Sequence, residues 1–339
     1  EVKVGAYYFD GWSGKTNSTH LTERLQGEFG GREPVWGWFD NTIEVMERQI
    51  DLAGDQGIGF FSFCWYWPDG EKKETPLNNA LELYLKAKNR GRVEFCLMVA
   101  NHGGFRVGPR DWEVVSEKWI ELFKEPGYLM VEGKPLLVFF SPRELKGKFG
   151  GVEGVRKALD ELREKAKKAG LKGVTVAACC TPGPEWGWDN LKEWEAAGFD
   201  VLTGYNYPGA GAVAGKKRQT FASMVEGHVG IWEAFPKKSK LPYIPAVTTG
   251  WDKRPWEKRD LPEARQSVYY PDRSPAAVRN FIGRAIAWVK QHPEGAVRER
   301  LVVLYAWNEN GEGGYLTPTK GDGDAYLKAA GEAIRGQGR

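Results

Sequence analysis

Short apolar runs alternate with longer amphipathic stretches along the whole chain, and the alternation repeats eight times. The apolar runs read as strands at Lys3–Phe9, Ile58–Phe63, Val93–Ala100, Pro135–Phe140, Gly173–Ala178, Phe199–Thr203, Tyr243–Val247 and Leu301–Ala306. They are continuous rather than alternating, as expected of parallel strands buried on both faces. The stretches between them have helical spacing, with start and stop signals. Thr42–Asp55 carries Ile43, Met46, Ile50 and Ala53 on one stripe; Pro76–Asn89 and Pro275–Gln291 begin with proline; Asp111 opens a helix to Lys124. Val152–Ala169, Leu191–Ala197, Phe221–Phe235 and Asp324–Ile334 complete the set. Eight strand–helix units in 339 residues predict one domain over residues 1–339, an α/β chain folded as a single (β/α)8 TIM barrel. A doubly wound open sheet is the nearest rival. Tyr7-Tyr8-Phe9-Asp10 lacks the glycine-rich phosphate fingerprint such a sheet usually carries after its first strand.

The connections are asymmetric. Helix-to-strand turns are short and close on Gly57, Gly91, Gly170 and Gly198, whereas strand-to-helix loops are long. In a barrel the long loops gather at the C-terminal ends of the strands, the end that carries active sites. Of fifteen tryptophans, Trp12, Trp36, Trp38, Trp65, Trp67, Trp186, Trp188, Trp251, Trp256 and Trp307 fall at strand exits or in these loops. The five in helices are explained by core filling. Those in the loops suit the flat C–H faces of sugar rings, and Trp65, Trp67, Trp251 and Trp307 are the leading ligand contacts, with Tyr66 between the first two. A net charge of +3 with both signs interspersed gives no nucleic-acid footprint. No run is long enough to span a membrane. Cys64, Cys96, Cys179 and Cys180 lack metal-ligand spacing and lie in or beside strands, so they read as buried thiols. No cleavable leader opens the chain. Glu1 reads as a mature N-terminus, and a removed export signal would place the protein in the periplasm or outside the cell.

The last strand exit carries the strongest chemical signal. Leu301-Val302-Val303-Leu304 is apolar; Trp307, Asn308, Glu309 and Glu312 follow, spaced by Gly311, Gly313 and Gly314. Two carboxylates in one tight turn are the group pair that glycoside hydrolysis uses, one giving and one taking a proton. An acidic surface turn is the bland reading; the position at the mouth of a barrel favours the catalytic one. Other polar candidates at strand exits are Tyr8 and Asp10, Asn101 with His102, Tyr205 with Asn206 and Tyr207, and Asp252. His102 reads equally as a loop brace, Asp252 as an ion-pair partner of Arg254, and Glu185 is a weaker acid.

Several segments taken together resemble the family 99-like glycoside hydrolases, which comprise endo-α-mannosidases and a related group labelled WbsX-type, once called glycosyltransferases. Met46-Glu47-Arg48-Gln49-Ile50-Asp51-Leu52-Ala53, Gly57-Ile58-Gly59-Phe60 and Phe63-Cys64-Trp65-Tyr66-Trp67 match one family stretch. Phe95-Cys96-Leu97 with Ala100-Asn101, Thr249-Gly250-Trp251-Asp252, and Trp307-Asn308-Glu309 with Gly311-Glu312-Gly313 and Tyr315-Leu316 match others. The chain departs from the pattern at Asn310, where an aromatic is usual, and at His102 and Thr317, where glutamates are usual. The resemblance implies a retaining route through a 1,2-anhydro sugar. Glu309 would deprotonate the sugar's own 2-hydroxyl; Glu312 would protonate the leaving oxygen and then activate water. The residues alone equally fit an ordinary double displacement.

The leading expectation is therefore a retaining glycoside hydrolase acting on an α-linked oligo- or polysaccharide, with no cofactor and no metal. Open aromatic loops favour an endo mode. A glycosyltransferase is the second reading. Its only DxD-spelled group, Asp322-Gly323-Asp324, sits where acidic residues favour a helix start. A glycan-binding barrel without activity is the third, and the retention of both glutamates argues against it.

Overall fold

A computed structural model describes residues 1–15, 20–70, 75–181 and 190–338. Among these, eight parallel strands close into a barrel: β1 (Lys3–Tyr8), β2 (Phe60–Trp65), β3 (Glu94–Val99), β4 (Lys134–Phe139), β5 (Thr175–Cys179), β6 (Val201–Thr203), β7 (Ala246–Thr248) and β8 (Leu301–Tyr305). Their spatial order is β6-β5-β4-β3-β2-β1-β8-β7. The circle closes between β6 and the approach to β7, where Leu202 N donates to Pro242 O and Ile244 N donates to Leu202 O, both at 2.9 Å. Sequential neighbours pair throughout; β1 pairs with β2 in the register Gly5↔Phe60 and with β8 in the register Gly5↔Val303.

The helices between and after the strands include α1 (Ile43–Asp55), α2 (Asn79–Lys86), α3 (Trp112–Phe123), α4 (Val152–Lys168), α5 (Asn190–Ala196), α6 (Phe221–Lys238), α7 (Pro275–Gln291) and α8 (Ala325–Arg335). Local chemistry accounts for several starts. Thr42, Thr220 and Ser274 each accept a backbone N–H from the first turn, and Pro275 opens α7 where no N–H partner is needed. The Ser141–Gly150 stretch, expected as loop, instead contains a helix at Pro142–Lys148. Ser141 Oγ accepts from Glu144 N at 3.1 Å, and the Ser-Pro-Arg-Glu spelling carries that start signal. The second strand begins two residues later than expected, and the seventh retains only an isolated bridge at Tyr243 before Ala246.

Alternation within the strands sets what faces the barrel interior. In β2, Phe63 packs on Tyr84 of α2 and Trp65 on Trp119 of α3, with ring centroids 5.2 and 5.6 Å apart, so that edge fills the layer between sheet and helices. Cys64 points the other way, its Sγ 3.9 Å from the Tyr205 hydroxyl. All four cysteines are buried and unpaired. No helix among the described residues is long and apolar enough to cross a membrane.

Candidate active site

β8 ends at Tyr305, and the chain then forms a small hairpin in which Asn308–Glu309 pairs with Gly314–Tyr315. Glu312 lies in its turn, with Glu312 N donating to Glu309 O at 3.0 Å. The glycines are imposed by packing. A Cβ on Gly311 would sit 2.2 Å from the Trp256 ring, and one on Gly314 2.4 Å from the Tyr305 ring. The pair thus stands at the mouth of the barrel in a turn that larger residues cannot adopt without displacing neighbours.

Each carboxylate has its own tyrosine. Tyr205, after β6, donates its hydroxyl to Glu309 Oε1, and Tyr305 donates to Glu312 Oε2. The two phenol rings meet edge to face, 5.0 Å apart at 80°. Tyr7 packs 4.8 Å behind Tyr205 and donates to Gly204 O at 2.8 Å. Trp251 flanks Tyr305 on the other side at 6.1 Å. Glu309 is 4% exposed and its Oε2 has no partner among the described residues, whereas Glu312 is half-buried.

Electrostatics follow from this packing. Burial, then the charge of Glu312, push the Glu309 carboxyl well above the usual range, against the hydrogen bond from Tyr205. Burial also raises Glu312, while Tyr305 and the ammonium of Lys253 pull it back. Two like charges so close do not both ionise freely, so the pair shares its titration. Burial and mutual repulsion disfavour the charged form of both carboxylates, so the pair is suited to hold and pass a proton, the condition for acid–base work.

The structure brings several of the sequence candidates to this pair. Tyr205 and Trp251 line it. Tyr66 is buried against Phe105, and the charges of Glu309 and Glu312 add to burial and Cys64 in raising its hydroxyl. His102 is exposed at the rim, 4.7 Å from Phe140, which itself packs on Tyr205 at 5.4 Å.

Other candidates lie elsewhere. Tyr8 is fully buried between sheet and helices, donating to Asp40 Oδ2 at 2.8 Å and accepting from Gln49 at 3.0 Å; its neighbour Tyr7 is the one that faces inward. Trp307 occupies the same layer, donating to Gln49 Oε1 at 2.7 Å and packing on Phe61. Trp65 and Trp67 stack 6.0 Å apart and line a groove of about 620 Å³ on the flank with Leu81, Leu85 and Lys118, behind the sheet from the glutamates. Tyr207 is buried with its hydroxyl 2.8 Å from that of Tyr243. Asn308 staples Phe9 through both backbone groups at 2.7 Å, and Asn101 clasps Ser141 in the same way. Asp10 is buried, accepting from Ala80 N at 2.6 Å, and burial with the nearby Asp40 holds its carboxyl well up. Asp252 is an ion-pair centre bound by Arg32 and Arg254. Glu185, Trp186 and Trp188 lie outside the described residues.

Sequence reasoning missed Tyr7, Tyr305, Phe140 and Lys253. The available signal was parity: Tyr305 precedes Glu309 at the end of an apolar strand, but both faces of that strand are apolar. The Asp322-Gly323-Asp324 group is occupied structurally. Asp322 accepts from Tyr315 Oη at 2.7 Å, and Asp324 pairs with Lys328 at 2.9 Å at the start of α8. Among the described residues no group of three or more histidine, cysteine or acidic side chains is placed to hold a metal.

A family model described as glycosyltransferase WbsX matches residues 7–330. The uncharacterized protein WxcX of Xanthomonas campestris pv. campestris is 25% identical over 96% of this chain and 47% of its own length, so the chain spans about half of that relative. The barrel superposes with a TM-score of 0.68 on a GH99 endo-α-mannosidase from Bacteroides thetaiotaomicron, at 16% identity over 98% of this chain and 96% of that one. A GH5-4 broad-specificity endoglucanase from Ruminococcus champanellensis gives 0.53 at 11% identity, over 97% and 95% of the two chains. At these identities the likeness is one of fold.

Proposed function

The chain belongs to the glycosyltransferase WbsX family, and from that premise we propose that it is a retaining glycoside hydrolase acting on an α-linked glycan, α-mannosides first among them. The observation that carries this reading is the Glu309–Glu312 pair at the barrel mouth, each carboxylate held by a tyrosine and neither paired with a cation within salt-bridge distance among the described residues. A transferase would need a place for a nucleotide diphosphate, and the DxD-spelled group is engaged in other bonds. The fold shared with an endo-α-mannosidase and the WNE–GEG spelling support an α-mannoside, and the endo mode is part of the same proposal.

The two glutamates differ in ways that suit different roles. Glu309 is the more deeply buried, and its Oε2, which accepts from no described residue, is the oxygen left over to take a proton from a sugar hydroxyl. Glu312 is the less buried of the two, which suits the carboxylate that would meet the leaving oxygen and the hydrolytic water. A second reading exchanges the roles and is favoured by the deeper burial of Glu309. The resting proton then sits on Glu309 as the acid, with Glu312 as nucleophile in a double displacement.

A hydrolysis screen on α- and β-linked oligo- and polysaccharides, with NMR of the first-formed anomer, tests the proposal. Wild type should release sugar with retained configuration, and Glu309→Gln and Glu312→Gln should both lose at least about a hundredfold in kcat. Activity surviving both substitutions refutes the site. A substrate with an activated aryl leaving group separates the role assignments, since it forgives loss of the acid and not of the other carboxylate.

A further inference from the structure

We infer that Tyr305 is the positioning residue of Glu312: its hydroxyl fixes one carboxylate oxygen so that the other is presented to the cleft. The inference rests on the proposed pair but adds a residue that neither sequence pattern nor comparison singles out. Tyr305 is the last residue of β8, fully buried, with its backbone in the sheet. Its ring is locked on three sides: by Tyr205 at 5.0 Å, by Trp251 at 6.1 Å, and by the hairpin backbone at Gly314, which has no room for a Cβ against it. With the ring so confined, its hydroxyl is held between Asn206 and Glu312, and it donates to Glu312 Oε2.

Glu312 needs such a guide. It sits in the four-residue turn, residues 310–313, of a hairpin with two-residue strands, and among the described residues no cation lies within salt-bridge distance of it. Its other oxygen accepts no hydrogen bond from a described residue. The arrangement repeats at the other carboxylate of the hairpin, where Tyr205 takes one oxygen of Glu309 and leaves Oε2 without a partner among the described residues. Two carboxylates, each with one oxygen fixed by a phenol and one unspent, give the reacting atoms defined positions. Because the phenols rest on each other, displacement of one is felt at both acids.

The groups facing this contact are Glu309 on the same hairpin, Tyr205 and Asn206 after β6, and Lys253 after β7. Donation by Tyr305 favours the charged form of Glu312, so removing it raises the titration midpoint of that carboxylate.

The test combines NMR of glutamate labelled with 13C at the side-chain carboxyl carbon with kinetics on the full chain. The Glu312 resonance is assigned by its loss in Glu312→Gln. In Tyr305→Phe its midpoint should rise by about one pH unit. On any glycan the wild type cleaves, kcat should fall about 10- to 100-fold with KM within about threefold. Replacing the Tyr305 phenol by a 3,5-difluorophenol, which keeps the ring and donates more strongly, should move the midpoint down, and decides the matter if the phenylalanine variant does not fold. A Glu312 midpoint unmoved in the folded variants overturns the inference, as does a rise in KM at constant kcat, which would make Tyr305 a substrate contact. If the wild type hydrolyses nothing, the hydrolase reading fails while the titration still decides whether Tyr305 governs Glu312.

Discussion

Asp252 tests how the loop beside the Glu309–Glu312 hairpin is held. Its carboxylate takes three bonds from guanidinium groups, Oδ2 from Arg32 Nη2 and Arg254 Nη2 and Oδ1 from Arg254 Nε, each at 2.8 Å, besides a longer one to Oδ1 from Arg254 N at 3.3 Å. Arg32 also reaches Asp252 O and Asn310 O, so one guanidinium ties the loop after β7 to the hairpin. The Asp252 and Arg32 side chains are only 10% and 13% exposed. Asp252→Asn keeps the shape and one acceptor but leaves the Arg32 charge uncompensated. Hydrogen bonds to charged groups are worth about 1.5–3 kcal/mol each; with one partly retained and Arg254 half open to water, a loss of about 3 kcal/mol is expected. Spread over a chain of 339 residues, at roughly 2 cal/mol/K of unfolding entropy per residue, that lowers Tm by about 4 °C. The sign with pH is fixed. Burial would raise the Asp252 carboxyl, but the Arg254 hydrogen bonds and the charges of both arginines outweigh it and hold it below the usual range. Its contribution is therefore complete above the unfolded value of about 3.9 and is lost as pH falls through the lower folded value. Differential scanning calorimetry of wild type and variant should show the gap at pH 7, the same gap in 0.5 M salt, and a narrowing gap below about pH 4. Equal Tm values at pH 7, or a gap abolished by salt, would show that the ions are solvated and the clamp reasoning wrong.

Other expectations follow from individual contacts. Trp65→Ala removes a buried ring from the sheet–helix layer and should cost about 3–5 kcal/mol in urea unfolding while leaving KM nearly unchanged. Trp251→Ala, beside Tyr305, should instead raise KM for a cleaved glycan, read from initial rates. Burial raises Asp40 to about 6, so its ionisation opposes folding as pH rises from about 4 to 6; Asp40→Asn should gain about 2 kcal/mol relative to wild type at pH 8 and little at pH 4, by thermal melts. Gly311→Ala, whose Cβ would meet the Trp256 ring at 2.2 Å, should lower kcat by displacing the hairpin, measurable beside an unchanged far-ultraviolet circular dichroism spectrum.

The barrel was legible because its signals are repeated and local. Apolar runs, capped helices and glycine-closed turns recur, and Ile43–Asp55 and Pro275–Gln291 appear almost as read. The carboxylate pair was legible because polar residues stand out at the end of an apolar strand. Side-chain direction was not. β1 is buried on both faces, so nothing in KVGAYY tells whether Tyr7 or Tyr8 looks inward, and the same ambiguity put Trp65 and Trp307 among the ligand contacts. Asn101, Asn308 and Asp252 stand at strand exits, as functional residues do, yet each secures a loop, a role that only tertiary contacts reveal. Tyr305 escaped notice for the converse reason: a tyrosine ending an apolar strand looks like core until its hydroxyl partner is known.

The closure of the barrel bears on how the cleft breathes. β6 and β7 are three residues each; the backbone bonds between β6 and the approach to β7 among the described residues are the two made by Leu202 with Pro242 and Ile244, with the Thr203 hydroxyl donating to Ile244 O beside them. Pairing this short opens at lower free energy than the six-residue register between β2 and β3. Amide exchange at Leu202 and Ile244 should accordingly outpace that at Phe63 and Leu97. The seam lies between the strands that carry Tyr205 and Trp251, so parting it separates the wall that holds Glu309 from the wall beside Glu312. A ligand spanning both walls would suture the seam, and slowed exchange there would register its arrival before any bond is cut.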